Sequence, residues 1–109
     1  MLQRLFVYGT LSPDGPNRHV LAQIGGKWVP ASVRGHLHEA GWGAEIGYPA
    51  IVLDEFADPI EGYVFVSENL AEHWDEIDGF EGEEYERVVT SAQLQGKTTV
   101  DAFIYVLRR

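Results

Sequence analysis

Residues 5–11 read Leu5-Phe6-Val7-Tyr8-Gly9-Thr10-Leu11, an apolar run interrupted at a glycine. A short and continuously apolar segment of this kind favours a strand buried on both faces over a helix. Gly9 allows positive φ and the close approach of a ligand to the main chain, so the amides that follow could hold an anion or an oxyanion. Many strands simply end at a glycine, and a turn without a ligand is therefore the alternative interpretation.

Outward from this stretch, short apolar segments alternate with turn residues. A short helix is predicted to begin near Pro16 and to end at Gly25-Gly26. Strands are predicted over residues 28–38, 51–53, 60–66, 85–94 and 98–107. Gly35 marks a bend or bulge in the first of these strands, and residues 95–97 join the last two as a hairpin.

A second helix is predicted over residues 69–78. Asn69 is a suitable N-cap with Glu72 three residues later, which resembles a capping box. Gly79 is placed to end the helix. The buried stripe of this helix follows the i, i+4, i+7 spacing of Leu70, Trp74 and Ile77.

The order of these elements predicts the fold class. Two helices are too few to cover both faces of a doubly wound sheet. A small mixed β-barrel with flanking short helices, of the α/β (α+β) class, is the economical arrangement, because closure removes the exposed edges of short strands. With 109 residues, of which 45% are hydrophobic, the chain is expected to be a single domain over residues 1–109.

The composition excludes several function classes. The chain has no cysteine, which removes disulfides, thiolate catalysis and cysteine-based zinc sites. We find no signal-peptide core, and no apolar run approaches the roughly 18 residues of a membrane span. We therefore expect a cytoplasmic protein without a membrane partner.

The charge distribution is uneven. The chain has 17 acidic and 8 basic residues and a net charge of -9, which disfavours binding to nucleic acid or to anionic membranes. Residues 68–86 contain nine acidic residues and no Lys or Arg. A block of this kind is usually the solvated face of a helix. Glu81 lies inside it, between Phe80 and Gly82, and acidic neighbours would tend to raise its pKa toward that of a useful acid/base.

No cofactor or metal is predicted. His36 and His38 occupy alternate strand positions and share one face, a spacing that zinc could use. A zinc site would need at least one further ligand, and neither His19 nor His73 is near in sequence, so a polar strand face is the favoured interpretation. The sequence also has no glycine-rich nucleotide-binding loop and no nucleophile elbow.

Several motifs become specific when they are taken together. In chain order they are Phe6-Val7-Tyr8-Gly9-Thr10-Leu11, Gly15 and Asn17, Tyr48-Pro49-Ala50, Ile77-Asp78-Gly79-Phe80-Glu81-Gly82, and Tyr85 with Arg87. This combination resembles the γ-glutamylcyclotransferase (AIG2-like) family over essentially the whole chain. The resemblance implies a small mixed barrel with flanking helices. It also implies conversion of a small-molecule γ-glutamyl amide into 5-oxoproline and a free amine, without metal or cofactor.

The resemblance also assigns roles to individual residues. Glu81 matches the catalytic glutamate of the family, and the segment Tyr8, Gly9, Thr10 and Leu11 matches its substrate-binding loop. Tyr85 and Arg87 match recurrent positions near the cavity, so they are expected to bind substrate. The glycine-rich segment 41–45 carries no family signature and is a candidate for deciding the choice of substrate. The alternative function is a non-catalytic module that binds a small carboxylate.

Overall fold

The structure is a computed structural model that describes residues 3–9, 13, 15, 18–39, 49–82 and 85–107. Within these residues the chain forms six strands and two short α-helices. They are β1 (Gln3–Val7), α1 (His19–Ala22), β2 (Lys27–Glu39), β3 (Pro49–Leu53), β4 (Pro59–Ser67), α2 (Trp74–Glu81), β5 (Tyr85–Leu94) and β6 (Thr99–Leu107). Short 3-10 turns cover Leu70–Glu72 and Gln95–Lys97.

The strands close into a barrel. The sheet order is β1-β4-β2-β3-β6-β5, and the additional pairing of β1 with β6 closes a ring of five strands. Strand β5 extends the sheet from β6 and also pairs with β2. Strand β6 runs parallel to β1 and to β3, whereas the other pairs are antiparallel, so the sheet is mixed. The predicted fold, a small mixed barrel with flanking short helices, is confirmed.

The long strand β2 changes partner at Gly35. Residues 27–34 pair with β4, and residues 35–39 pair with β3. A Cβ atom at Gly35 would lie 2.6 Å from the carbonyl oxygen of Val52, a distance at which the two atoms would clash. Glycine at this position therefore lets the strand turn closely onto its new partner, at the residue where the sequence predicts a bend.

Strand β1 is buried on both faces, as its continuous apolar run predicts. Leu5, Phe6 and Val7 are 0%, 1% and 4% exposed. Successive side chains of a strand point to opposite faces. Phe6 packs into one apolar cluster with residues of the barrel strands, and its two neighbours pack into a second cluster that includes the helices.

These two clusters make up the core. The first is formed by strand residues: Phe6, Ala31, Val33, Ile51, Val64, Ala92, Ala102 and Ile104. The second joins strands to the helical segments: Leu5, Val7, Leu21, Ile24, Phe65, Leu70, Ile77, Tyr85 and Tyr105. The second cluster holds α2 against the barrel beside β5 and β6.

The second helix differs from its prediction at both ends. The Asn69 side chain makes no capping hydrogen bond, and its amide instead donates to the Ile24 carbonyl at 3.0 Å. The predicted start becomes a 3-10 turn, and α2 begins at Trp74. Gly79 does not end the helix, which continues to Glu81 and stops at Gly82, where φ is +89°. A glycine inside a helix costs only about 1 kcal/mol, so it is a weaker stop than a position that requires positive φ.

The first helix is shorter than its prediction. It spans His19–Ala22, and Leu21 and Ile24 bury their side chains against the barrel. Gly25 follows with φ of +89°, as expected for the glycine pair that ends it. In the part of the chain that the structure describes, neither helix has the length and apolar character to cross a bilayer.

Candidate active site

Glu81 is the last residue of α2 and lies on its inward side. Residues four apart on a helix share a face, and Ile77, one turn earlier, is fully buried. The carboxyl group of Glu81 is consequently largely withdrawn from water. Burial raises the pKa of Glu81 from its ordinary value of 4.5 to about 7. A carboxyl group with this pKa can take up and release a proton near neutral pH.

Tyr8 lies beside Glu81, directly after β1. Its hydroxyl donates to the Tyr105 carbonyl at 3.0 Å and accepts the Ile51 amide at 3.1 Å. Burial raises the pKa of Tyr8 well above its ordinary value, and the charge of Glu81 adds a smaller contribution. Tyr8 therefore stays neutral, with its hydroxyl engaged by the backbone of two strands. Gly9, which belongs with Tyr8 to the predicted substrate-binding segment, comes next in the chain.

Tyr105 of β6 contacts α2 through its side chain. Its hydroxyl donates to Oδ1 of Asp78 at 2.5 Å. Burial is the main cause that raises the pKa of Tyr105 far above its ordinary value, followed by the hydrogen bond to Asp78. Asp78 precedes Glu81 by three residues on α2, so this bond connects β6 to the last turn of the helix.

Arg87 of β5 is the second partner of Asp78. Its Nη2 lies 3.6 Å from Oδ2 of Asp78. The guanidinium also stacks over the ring of Trp74, with 4.2 Å from Cζ to the ring centroid, and lies 5.3 Å from the Phe103 centroid. The Trp74 indole nitrogen donates to the Gln3 side-chain oxygen at 2.6 Å. Arg87 is thus held by aromatic stacking as well as by charge.

A cavity opens beside the last turn of α2. Its volume is about 580 Å³, within the range of small-molecule sites. It is lined by Asp78, Gly79, Gly82, Tyr85, Glu86, Arg87 and Tyr105. The cavity therefore presents carboxylates, one guanidinium and phenol groups to a ligand.

The structure brings several of the predicted site residues together. Tyr85 and Arg87 line the cavity, whose lining includes neither Tyr8 nor Glu81. The charge of Glu81 contributes to the raised pKa of Tyr8, so these two residues lie near each other at the same end of α2. Two predicted substrate-binding residues, Thr10 and Leu11, lie outside the described residues, as does the segment 41–45.

Sequence reasoning missed Asp78 and Tyr105. Asp78 stands inside the motif that carries the family resemblance, so its place one turn before Glu81 was an available signal. Tyr105 had no comparable signal, because a tyrosine in an apolar strand is most simply a core residue.

His36 belongs to no metal site among the described residues, and the side chain of His38 lies outside them. Nε2 of His36 lies 3.0 Å from Oδ2 of Asp54. Among the described residues, no group of three or more His, Cys, Asp or Glu side chains is arranged to hold a metal ion. The His36 contact instead joins β2 to the turn after β3 at the surface.

A family model decides the relationship of this chain to known proteins. The model described as gamma-glutamyl cyclotransferase, AIG2-like, matches residues 5–109. The chain belongs to this family. No match to this chain is found among curated proteins.

Solved structures share the fold of this AIG2-like chain. YkqA from Bacillus subtilis is 28% identical, with a TM-score of 0.74 over 99% of this chain and 36% of that one. A protein from Arabidopsis thaliana is 26% identical, with a TM-score of 0.75 over 98% of this chain and 62% of that one. An AIG2-like protein from Mus musculus is 21% identical, with a TM-score of 0.71 over 96% of this chain and 76% of that one. The chain thus spans less than two thirds of the length of the first two proteins.

Proposed function

We propose that the protein converts γ-glutamyl amides into 5-oxoproline and a free amine, with Glu81 as the general acid and base. The observation that carries the proposal is the buried carboxyl group of Glu81, whose pKa is raised to about 7. Membership of the γ-glutamyl cyclotransferase family supports the same reaction. A metal ion is not needed for this chemistry, because the substrate already contains both the nucleophile and the electrophile.

The reaction is an intramolecular amide exchange. The α-amino nitrogen of the substrate attacks its own γ-carbonyl carbon, and the bond from that carbon to the leaving nitrogen breaks. Glu81 takes the proton that the attacking nitrogen loses and returns it to the departing amine. Because the nucleophile is tethered to the carbonyl, much of the entropic cost of bringing them together is avoided without a covalent enzyme intermediate.

The turn after β1 is proposed to bind an anionic group of the reacting substrate. By the family motif, the amides of Gly9, Thr10 and Leu11 would hold either the substrate carboxylate or the developing oxyanion. A well-placed donor to an oxyanion contributes about 3 kcal/mol to transition-state stabilisation. Tyr85 and Arg87, which line the cavity, would contact the remainder of the substrate.

Measurement of 5-oxoproline tests the proposal. The protein is incubated with a panel of γ-glutamyl dipeptides and γ-glutamyl amines, and product is quantified for the wild type, Glu81→Gln and Glu72→Gln. Glu72 is exposed, which makes its substitution a matched control. Loss of a general acid/base lowers turnover by roughly 100- to 10,000-fold, so Glu81→Gln should be nearly inactive. The control should retain wild-type turnover.

Two outcomes would contradict this mechanism. One is the absence of product from every substrate, and the other is equal product from the wild type and Glu81→Gln. Thermal stabilisation by glutamate-like compounds without any 5-oxoproline would favour the alternative, a module that binds small carboxylates.

A further inference from the structure

Tyr105 makes two hydrogen bonds that lead to different parts of the candidate site. Its hydroxyl donates to Asp78 at 2.5 Å, three residues before Glu81 on α2. Its backbone carbonyl accepts a hydrogen bond from the Tyr8 hydroxyl at 3.0 Å. Tyr8 directly precedes Gly9 in the chain. Tyr105 of β6 therefore connects α2, which carries the proposed acid/base, to the turn that is proposed to bind the anionic group of the substrate.

The orientation of α2 depends on such contacts. The helix has eight residues, and helices of this length are marginal by themselves in water. Ile77 is its fully buried residue. Asp78 adds two polar contacts to the barrel, one to Tyr105 of β6 and one to Arg87 of β5. These contacts act on the last turn of the helix, where Glu81 is located.

We propose that Tyr105 is a positioning residue, whose hydroxyl holds Asp78 and thereby keeps the Glu81 end of α2 at a fixed place beside Tyr8. The inference rests on the proposed function, because that function makes Glu81 the acid/base. Tyr105 itself does not transfer the proton in this scheme. It acts through Asp78 on the place and the hydration of the Glu81 carboxyl group.

The exposure of Asp78 indicates that its bond to Tyr105 orients α2 and is not simply a contribution to core stability. Its side chain is 43% exposed, so water could solvate the carboxylate without Tyr105. The bond between the two side chains is therefore not required to satisfy a buried charge. What the bond adds is a defined geometry, since the Tyr105 ring is packed in the core and is 5% exposed.

Several titratable groups surround the Glu81 end of α2. They are Asp78 on α2, Tyr85, Glu86 and Arg87 on β5, Tyr105 on β6, and Tyr8 after β1. Arg87 carries the positive charge of this set and lies against Asp78. Loosening the contact between Asp78 and Tyr105 should admit water to Glu81, and solvation favours the ionised carboxylate. The pKa of Glu81 should then move down, toward the ordinary value.

The activity test uses two variants with matched controls. Tyr105→Phe keeps the ring and the carbonyl but removes the hydroxyl, and Asp78→Asn removes the charge of its partner. We expect kcat to fall about 10- to 100-fold with KM changed less than about threefold, because misplacement of a catalytic group affects the transition state more than ground-state binding. The acidic limb of the pH profile should move to lower pH. Tyr63→Phe and Asp75→Asn, which alter a partly buried tyrosine and an exposed carboxylate outside this network, should match the wild type.

A second measurement does not depend on turnover. The Glu81 carboxyl group is titrated by carbon-detected NMR in the wild type and in both variants, with Glu81→Gln to assign the signal. A lower pKa in Tyr105→Phe supports positioning, even if no substrate is turned over and the proposed function fails. The same shift in Asp78→Asn does not discriminate, because loss of a neighbouring negative charge lowers the pKa of Glu81 by itself. Wild-type titration and wild-type kcat in a folded Tyr105→Phe would overturn the inference. If Tyr105→Phe does not fold, kcat of Asp78→Asn decides: a wild-type value overturns the inference, and a fall of about 10- to 100-fold with KM nearly unchanged supports it.

Discussion

At the scale of single residues, the raised pKa of Glu81 results from burial of its carboxyl group. The sequence places it in an acidic block and suggests that its acidic neighbours raise its pKa. The structure gives burial as the cause of the rise to about 7. The difference matters, because repulsion between exposed charges is screened by salt whereas burial is not. The pKa of Glu81 should therefore be largely insensitive to ionic strength.

The raised pKa of Glu81 makes the stability of the protein depend on pH. The folded state binds this proton more tightly than the unfolded chain, in which the pKa is near 4.5. The stability contribution of the protonated group is complete below that pH and is lost as the pH rises through about 7. A shift of this size corresponds to about 3 kcal/mol.

Thermal unfolding of Glu81→Gln measures this linkage. The glutamine has no proton to lose, so the Tm of this variant relative to the wild type should increase from about pH 5 to about pH 8. Glu72→Gln, at an exposed position, should keep a constant difference over the same range. A constant difference for Glu81→Gln as well would show that the carboxyl group is not held protonated by the fold.

At the scale of elements, the end of α2 decides where the proposed acid/base, Glu81, lies. Had the helix stopped at Gly79, Glu81 would follow in a loop. The helix instead ends at Gly82, whose φ of +89° and ψ of 176° form a backbone conformation that is essentially restricted to glycine. Glu81 therefore keeps helical geometry and shares the inward face of Ile77.

Alanine substitutions at the two glycines distinguish these helix ends. A Cβ at Gly79 would meet no atom within 4 Å, so Gly79→Ala should stabilise the protein by about 0.5–1 kcal/mol. Gly82→Ala should destabilise it by about 1–3 kcal/mol, because alanine is strained in that conformation. Denaturant unfolding of both variants is the measurement. Destabilisation by Gly79→Ala with a neutral Gly82→Ala would contradict the observed helix end.

At the scale of the whole molecule, the seams around β6 close the barrel. Strand β6 meets β1 at the pair Leu5–Phe103 and meets β3 at the pair Ile51–Val106. The Tyr8 hydroxyl lies beside the second seam, where it joins the amide of β3 to a carbonyl of β6. The Tyr8 side chain thus bridges β3 and β6, as backbone hydrogen bonds join neighbouring strands elsewhere in the sheet.

Removal of this hydroxyl should weaken the seam. Tyr8→Phe leaves the Ile51 amide without the partner it has in the structure, and an unsatisfied buried group costs about 1–3 kcal/mol. We expect lower stability in denaturant and faster hydrogen exchange at the Ile51 amide. Tyr63→Phe is the matched control in the partly buried part of β4. Unchanged exchange at Ile51 in Tyr8→Phe would show that the seam does not depend on this bond.

Much of the fold follows from local patterns. Alternation and apolar runs locate the strands because each strand buries side chains with a period of two, and a one-residue shift would expose them. The stop of α2 was misjudged because Gly79 and Gly82 are equivalent in sequence, and the positive φ that separates them arises only when the chain packs. The proposed binding turn at Gly9 and the proposed acid/base Glu81 can be found through motifs, whereas Tyr105 cannot.

The sequence by itself determined the strand pattern, the barrel class, the family motifs and the identity of the candidate acid/base. Only the tertiary structure decided why Glu81 has a raised pKa and which residues hold its helix. Both depend on contacts between distant parts of the chain, such as the bond from Tyr8 to Tyr105, which are 97 residues apart. Burial and hydrogen-bond geometry are properties of neighbours in space, and a local sequence pattern does not specify those neighbours.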